Sequence, residues 1–124
     1  MLKKILTYLA IIICLFAIVI TAIYQMHKSY FRGSVDSYMS AQQLHKSAIK
    51  SNHISYNWTD DGQWEDDVMV SENHTTYEYV YNMEWKTPIS LEIYHDRDSV
   101  SNTSHLKYPP LKYDQDAVRA FNKN

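Results

Sequence analysis

Thr76-Tyr77-Glu78-Tyr79-Val80-Tyr81-Asn82-Met83-Glu84-Trp85 places a ring or a methionine at every odd position and Thr, Glu, Val, Asn and Glu at the even ones. A period of two puts all the large side chains on one side of an extended chain, so this stretch reads as a strand with one face buried. Such a face needs neighbours, and the flanking sequence supplies them. Ile54, Tyr56 and Trp58 alternate with Ser55, Asn57 and Thr59, and Asp60-Asp61-Gly62 provides a hairpin turn before a second strand from Trp64 to Val70. Beyond Lys86-Thr87-Pro88, Ile89, Leu91 and Ile93 alternate with Ser90, Glu92 and Tyr94, and His95-Asp96-Arg97-Asp98 ends that strand. Four strands with short connections predict an antiparallel meander.

Upstream the period changes. Val35, Tyr38, Ala41, Leu44, Ala48 and Ile49 share one side of a helical wheel, opposite Asp36, Ser40, Gln43, Ser47 and Lys50. With Gly33-Ser34 as a break and Ser34 as its cap, this predicts an amphipathic helix reaching about Lys50 that covers the sheet. Downstream, the polar residues Asp98 to Ser104 read as loop and are followed by Leu106-Lys107-Tyr108-Pro109-Pro110-Leu111, extended because paired prolines fix φ and withhold donors. Asp114 is placed to cap a short helix from Gln115 to Phe121. The expected fold class is α+β: one transmembrane helix, then one amphipathic helix on a four-stranded antiparallel meander. The expected organisation is a basic start (1–4), an anchor (5–26), a linker (27–33), the helix-plus-sheet domain (34–96) and an extended tail with a terminal helix (97–124).

The anchor is the uncharged run Ile5–Met26, 22 residues between Lys3-Lys4 and His27-Lys28. At about 1.5 Å per residue it spans roughly 33 Å, against a hydrocarbon core of about 30 Å. Its apolar residues lie all round, whereas a helix packed on a soluble core keeps a polar stripe. Tyr8, Tyr24 and Tyr30 suit the two interfaces. A basic start before an apolar run also describes a cleavable signal, but the run is long and only Ile20-Thr21-Ala22 offers a small residue for a cut. Cys14 follows Ile13 where a lipoprotein would carry a small residue, so lipid attachment is not expected. The reading is a single-pass cell-membrane protein with a cytoplasmic N-terminus and an extracytoplasmic domain. Its partner is the bilayer through residues 5–26.

Four of the 12 Lys and Arg lie before residue 33, where there is no acid; the other eight face all 14 Asp and Glu, leaving −6 on the domain. A domain of that sign is a poor match for phosphate backbones, so no nucleic-acid partner is expected. Cys14 is the sole cysteine and lies in the apolar run, so the domain has no internal disulfide. Gly33 and Gly62 are the only glycines, too few for a phosphate-binding loop or a nucleophile elbow. Asp60, Asp61, Glu65, Asp66 and Asp67 lack the alternating spacing of a calcium loop and read as a solvated hairpin. His45, His53, His74, His95 and His105 show no paired ligand spacing. Catalytic residues, cofactors and metals are therefore not expected. The sequons Asn57-Trp58-Thr59, Asn73-His74-Thr75 and Asn102-Thr103-Ser104 are the chance product of a composition rich in Asn, Ser and Thr.

The basic start and anchor, Asp36-Ser37-Tyr38-Met39, Tyr77-Glu78-Tyr79-Val80-Tyr81 and the late Leu106-Lys107-Tyr108-Pro109-Pro110-Leu111 together resemble the domain-of-unknown-function 3139 family of small Gram-positive membrane-anchored proteins. That resemblance implies an extracytoplasmic bacterial domain and brings no activity with it. The expected role is a non-enzymatic interaction domain that binds or regulates another membrane or envelope protein. Trp58, Trp64, Tyr108, Pro109 and Pro110 are the candidate contacts. The alternatives are a small effector or inhibitor released by signal cleavage, and a metal-dependent envelope hydrolase using the acidic hairpin with a histidine.

Overall fold

The computed structural model describes all residues other than Asp60, Asp61, Lys86 and residues 112–124. The alternating segments form five antiparallel strands, β1 (Ile49–Asn57), β2 (Gln63–Glu72), β3 (Thr75–Met83), β4 (Ser90–His95) and β5 (Asp98–Ser99), in the order β1-β2-β3-β4-β5. Asn73 and His74, at φ 48° and 64°, close β2 onto β3; Asp96 and Arg97, at 50° and 71°, close β4 onto β5. Two successive positive φ values give the turn whose twist matches that of the paired strands. Between β1 and β2, Gly62 has φ 70°, and a Cβ there would lie 2.5 Å from the Tyr56 hydroxyl. The positive φ favours glycine at that position, and any Cβ there would also have to displace the end of the Tyr56 side chain.

Register aligns the large side chains across the sheet: Trp64 faces Met83, Val68 faces Tyr79, Val70 faces Tyr77, and Tyr79 in turn faces Ile93. Trp64, Val68, Val70, Tyr79, Tyr81, Met83 and Ile93 are buried. Helix α1 (Leu2–Ala41) covers them with its last turns, through Phe31, Val35, Tyr38 and Met39. Those positions recur at the spacing of one helical face. Phe31 stacks on Trp64 with ring centroids 5.9 Å apart, and Tyr38 meets Tyr81 edge-on at 5.6 Å.

Two features correct the expected four-stranded sheet with a separate amphipathic helix. The helix is continuous from Leu2 to Ala41, with no break at Gly33-Ser34. Gly33 does not take a positive φ, and Ser34 is buried within the helix rather than capping a new one. Nearby, the Ser37 and Ser40 hydroxyls bond back to the carbonyls of Gly33 and Asp36, one turn earlier. A single glycine costs a helix about 1 kcal/mol, too little to end one that continues on both sides. The helix also stops nine residues before Lys50. Gln43 turns left-handed at φ 60°, the Leu44 N–H bonds the Met39 carbonyl and the Gln43 N–H bonds the Ser40 carbonyl. These are the two reverse bonds of a Schellman stop, and Leu44 and Met39, the pair that such a stop brings together, are both buried. A 3₁₀ turn, Lys46–Ala48, then leads straight into β1, so Ile49 and Lys50 are strand. The second correction is β5, a two-residue strand that makes the sheet five-stranded.

Residues Met1–Tyr30 form one unit and the chain from Phe31 the other. In the first, every residue from Met1 to Ile23 is exposed, and this is a helix long and apolar enough to cross a membrane. The tail expected to form a capped helix, Gln115 to Phe121, lies outside the described residues.

Candidate functional site

Strand parity in β2 puts Asp66 on the same side as Trp64, Val68 and Val70, so a carboxylate is carried into the core face. It is only 3% exposed, and its Oδ1 meets no hydrogen-bond partner. Burial pushes its pKa up to about 6; a side-chain hydrogen bond from Asn52 opposes that rise, and the Asp67 and Asp36 carboxylates reinforce it. Arg32 lowers it only weakly. A charge held out of water without a full set of donors retains its proton to higher pH, which is the behaviour here.

Asp66 lines a cavity of about 280 Å³, bounded by Arg32, Asp36 and Met39 of α1, Lys46 of the 3₁₀ turn, and Ile49, Asn52 and Ile54 of β1. The helix stop at Gln43 is what brings Lys46 and β1 back beneath the helix to close it. Arg32, Asp36, Lys46 and Asn52 are exposed, so Asp66 is the one charged group in the lining that cannot swing into water. Among the described residues no ion pair within 4 Å joins Arg32 or Lys46 of the lining to Asp36 or Asp66.

A second buried polar assembly holds the chain after β5. The Gln42 amide donates to the carbonyls of Tyr108 (3.3 Å) and Pro109 (3.1 Å), and its oxygen accepts from the Tyr81 hydroxyl at 2.8 Å. Every hydrogen-bonding atom of that amide is used in this orientation. The Tyr79 hydroxyl lies 3.0 Å from the Tyr108 carbonyl and 3.4 Å from Glu72 Oε2, with one hydrogen to give, while Glu72 Oε1 accepts from the Lys107 N–H. Tyr38 accepts from the Leu111 N–H at 3.0 Å. Burial pushes the Tyr79 and Tyr81 hydroxyls far above the ordinary tyrosine range, so both remain donors.

The residues marked in the sequence as contacts are dispersed. Trp64 is 2% exposed and packs between Phe31 and Tyr56. Tyr108 is buried and its carbonyl belongs to the assembly just described. Pro109 is exposed and Pro110 half-buried. Trp58 is 78% exposed and rests edge-on against Tyr56, the same ring that Trp64 meets from the core side. Of the acidic hairpin, Asp60 and Asp61 lie outside the described residues, Glu65 and Asp67 point to the outer face, and Asp66 points inward. No group of three metal-ligating side chains occurs among the described residues. Asn57 and Asn102 each accept from the backbone and hydroxyl of the residue two further on, so these sequons are side-chain-closed turns.

Sequence reading passed over the Asp66 groove because Glu65-Asp66-Asp67 looks like a wet turn. The usable signal was the parity of Trp64, Asp66, Val68 and Val70. A family model described as "Protein of unknown function (DUF3139)" matches residues 2–81, which span α1 and β1, β2 and most of β3. The chain belongs to that family. The match includes all eight residues lining the groove. No curated protein and no solved structure matches the chain.

Proposed function

We propose that this DUF3139 protein is a single-pass membrane protein of a Gram-positive cell, with its N-terminus in the cytoplasm and its sheet domain outside. There it binds or regulates a neighbouring membrane or envelope protein without catalysing a reaction. The observation that carries this reading is the helix surface from Met1 to Ile23, exposed on every side and free of charge after Lys4. In water such a surface has a large unfavourable hydration free energy; in a bilayer its backbone is satisfied internally and its side chains match the solvent. The basic start favours a cytoplasmic N-terminus. The exposed Trp58 offers a large amphipathic ring of the kind enriched in protein interfaces.

Protease added to intact cells is the test. It should remove the domain and leave a membrane-protected fragment containing residues 5–26, while untreated cells carry only the full-length chain in the membrane fraction. Full protection of the domain would reverse the topology. A shortened product in the medium would instead support a cleaved, released effector.

A further inference from the structure

We propose that the groove between the last turns of α1 and strands β1 and β2 is a binding site for a primary ammonium group on an alkyl chain, either a free amine or the lysine side chain of a protein. Asp66 takes the charge at the floor and Asp36 at the rim. The cavity of about 280 Å³ has room for such a group, and the one buried polar atom in it with an unmet need is an acceptor, Asp66 Oδ1. An unmet buried acceptor selects a donor and rejects an anion. The count of acceptors is specific as well. Exposed Asn52 lines the same cavity, and its side-chain amide carries a carbonyl oxygen able to accept. That oxygen, Asp66 Oδ1 and the Asp36 carboxylate are three acceptors for the three N–H bonds of a primary ammonium. Met39, Ile49 and Ile54 supply apolar wall for the methylenes that follow.

The charged groups around Asp66 fit this assignment. Asp36 on α1 and Asp67 beside it on β2 add negative potential, and Tyr81 on β3 stays neutral. Arg32 and Lys46 are the opposing cations; both are exposed on long stems, so their heads can extend into water while the carboxylate cannot. A bound ammonium gives Asp66 the ionic partner it lacks, and the charge-assisted bond forms where water competes least. Because burial raises Asp66 to about 6, the site is charged at pH 7.5 and largely protonated at pH 5.

The site is independent of the tethering reading, since amine binding and topology are measured separately. The experiment is calorimetric titration of the full-length chain in phosphatidylcholine nanodiscs, whose headgroup has no N–H donor. The probes are n-butylamine, the blocked peptide acetyl-Gly-Lys-Gly-amide, and choline as a cation without N–H bonds. Saturable one-to-one binding of butylamine or the peptide is expected at pH 7.5, weakened at least about tenfold at pH 5 and by Asp66→Asn, as loss of one charge-assisted bond predicts. Butylamine binding alone identifies a free amine as the ligand; peptide binding of equal or greater strength identifies a lysine side chain. Choline should not bind, a comparison made on the unaltered chain and so untouched by any folding defect of the variant. Absence of saturable binding by both amines, unchanged affinity in a folded Asp66→Asn chain, or choline binding as well as butylamine would overturn the proposal.

Discussion

At the scale of single residues, Asp66 sets a pH dependence whose sign can be worked out. Its folded pKa, about 6, lies above the ordinary 3.8, so between these values the folded chain holds more protons than the unfolded one. Stability therefore falls as pH rises from about 4 to about 6 and levels off above, a loss with a ceiling of about 3 kcal/mol that water entering the groove reduces. Chemical denaturation in mild detergent should find the protein about 1–2 kcal/mol more stable at pH 4.5 than at pH 7.5, with the Asp66→Asn difference markedly smaller. Tyr79 and Glu78 give a second contrast on adjacent positions of β3. Tyr79 is fully buried, so Tyr79→Asp should cost more than about 2 kcal/mol; Glu78, on the outer face, should tolerate Lys within about 0.5 kcal/mol. Equal losses would mean that the strand face is assigned wrongly.

At the scale of elements, the helix end carries its own prediction. Gln43 is exposed and left-handed, a conformation that disfavours any residue with a Cβ, so Gln43→Gly should raise stability by about 0.5–1 kcal/mol in the same denaturation assay. The same residue shows where sequence reading loses its hold. A Schellman stop is legible when glycine marks it; with Gln at that position the wheel of Val35, Tyr38, Ala41 and Leu44 runs on without interruption. The strand from Tyr77 was legible because its two faces differ strongly in character. The start of β1 was not, since Lys50-Ser51-Asn52-His53 is polar on both faces of an edge strand. β5 has two residues, too few for any period to show. The groove followed the same rule: its one buried acid is visible by parity, but Lys46 and the β1 residues that complete it are placed by the stop at Gln43.

At the scale of the whole molecule, the segment after β5 is part of the fold from Phe31 onward, since Leu106 and Tyr108 are buried within it, the Tyr108 and Pro109 carbonyls accept from Gln42 just past the end of α1, and the Leu111 N–H bonds to Tyr38 of α1. Leu106→Ala should cost about 2–4 kcal/mol, the range for a leucine removed from a packed core. Lys107→Ala, on the exposed side of the same segment, should stay within about 0.5 kcal/mol. Thermal denaturation of both variants distinguishes a structural segment from a loosely attached one.

The order of the strands also has a consequence in time. Every strand pairs with its immediate predecessor, so each hairpin closes a short loop and the sheet can zip up in the sequence in which it leaves the ribosome. The bonds from Gln42 to the Tyr108 and Pro109 carbonyls, across 66 and 67 residues, have no such shortcut. They form only once nearly all of the chain has emerged, so a nascent domain lives for a while with Tyr79, Tyr81 and Glu72 uncovered. That interval is when an incomplete molecule is most open to proteolysis or to association with another unfinished chain.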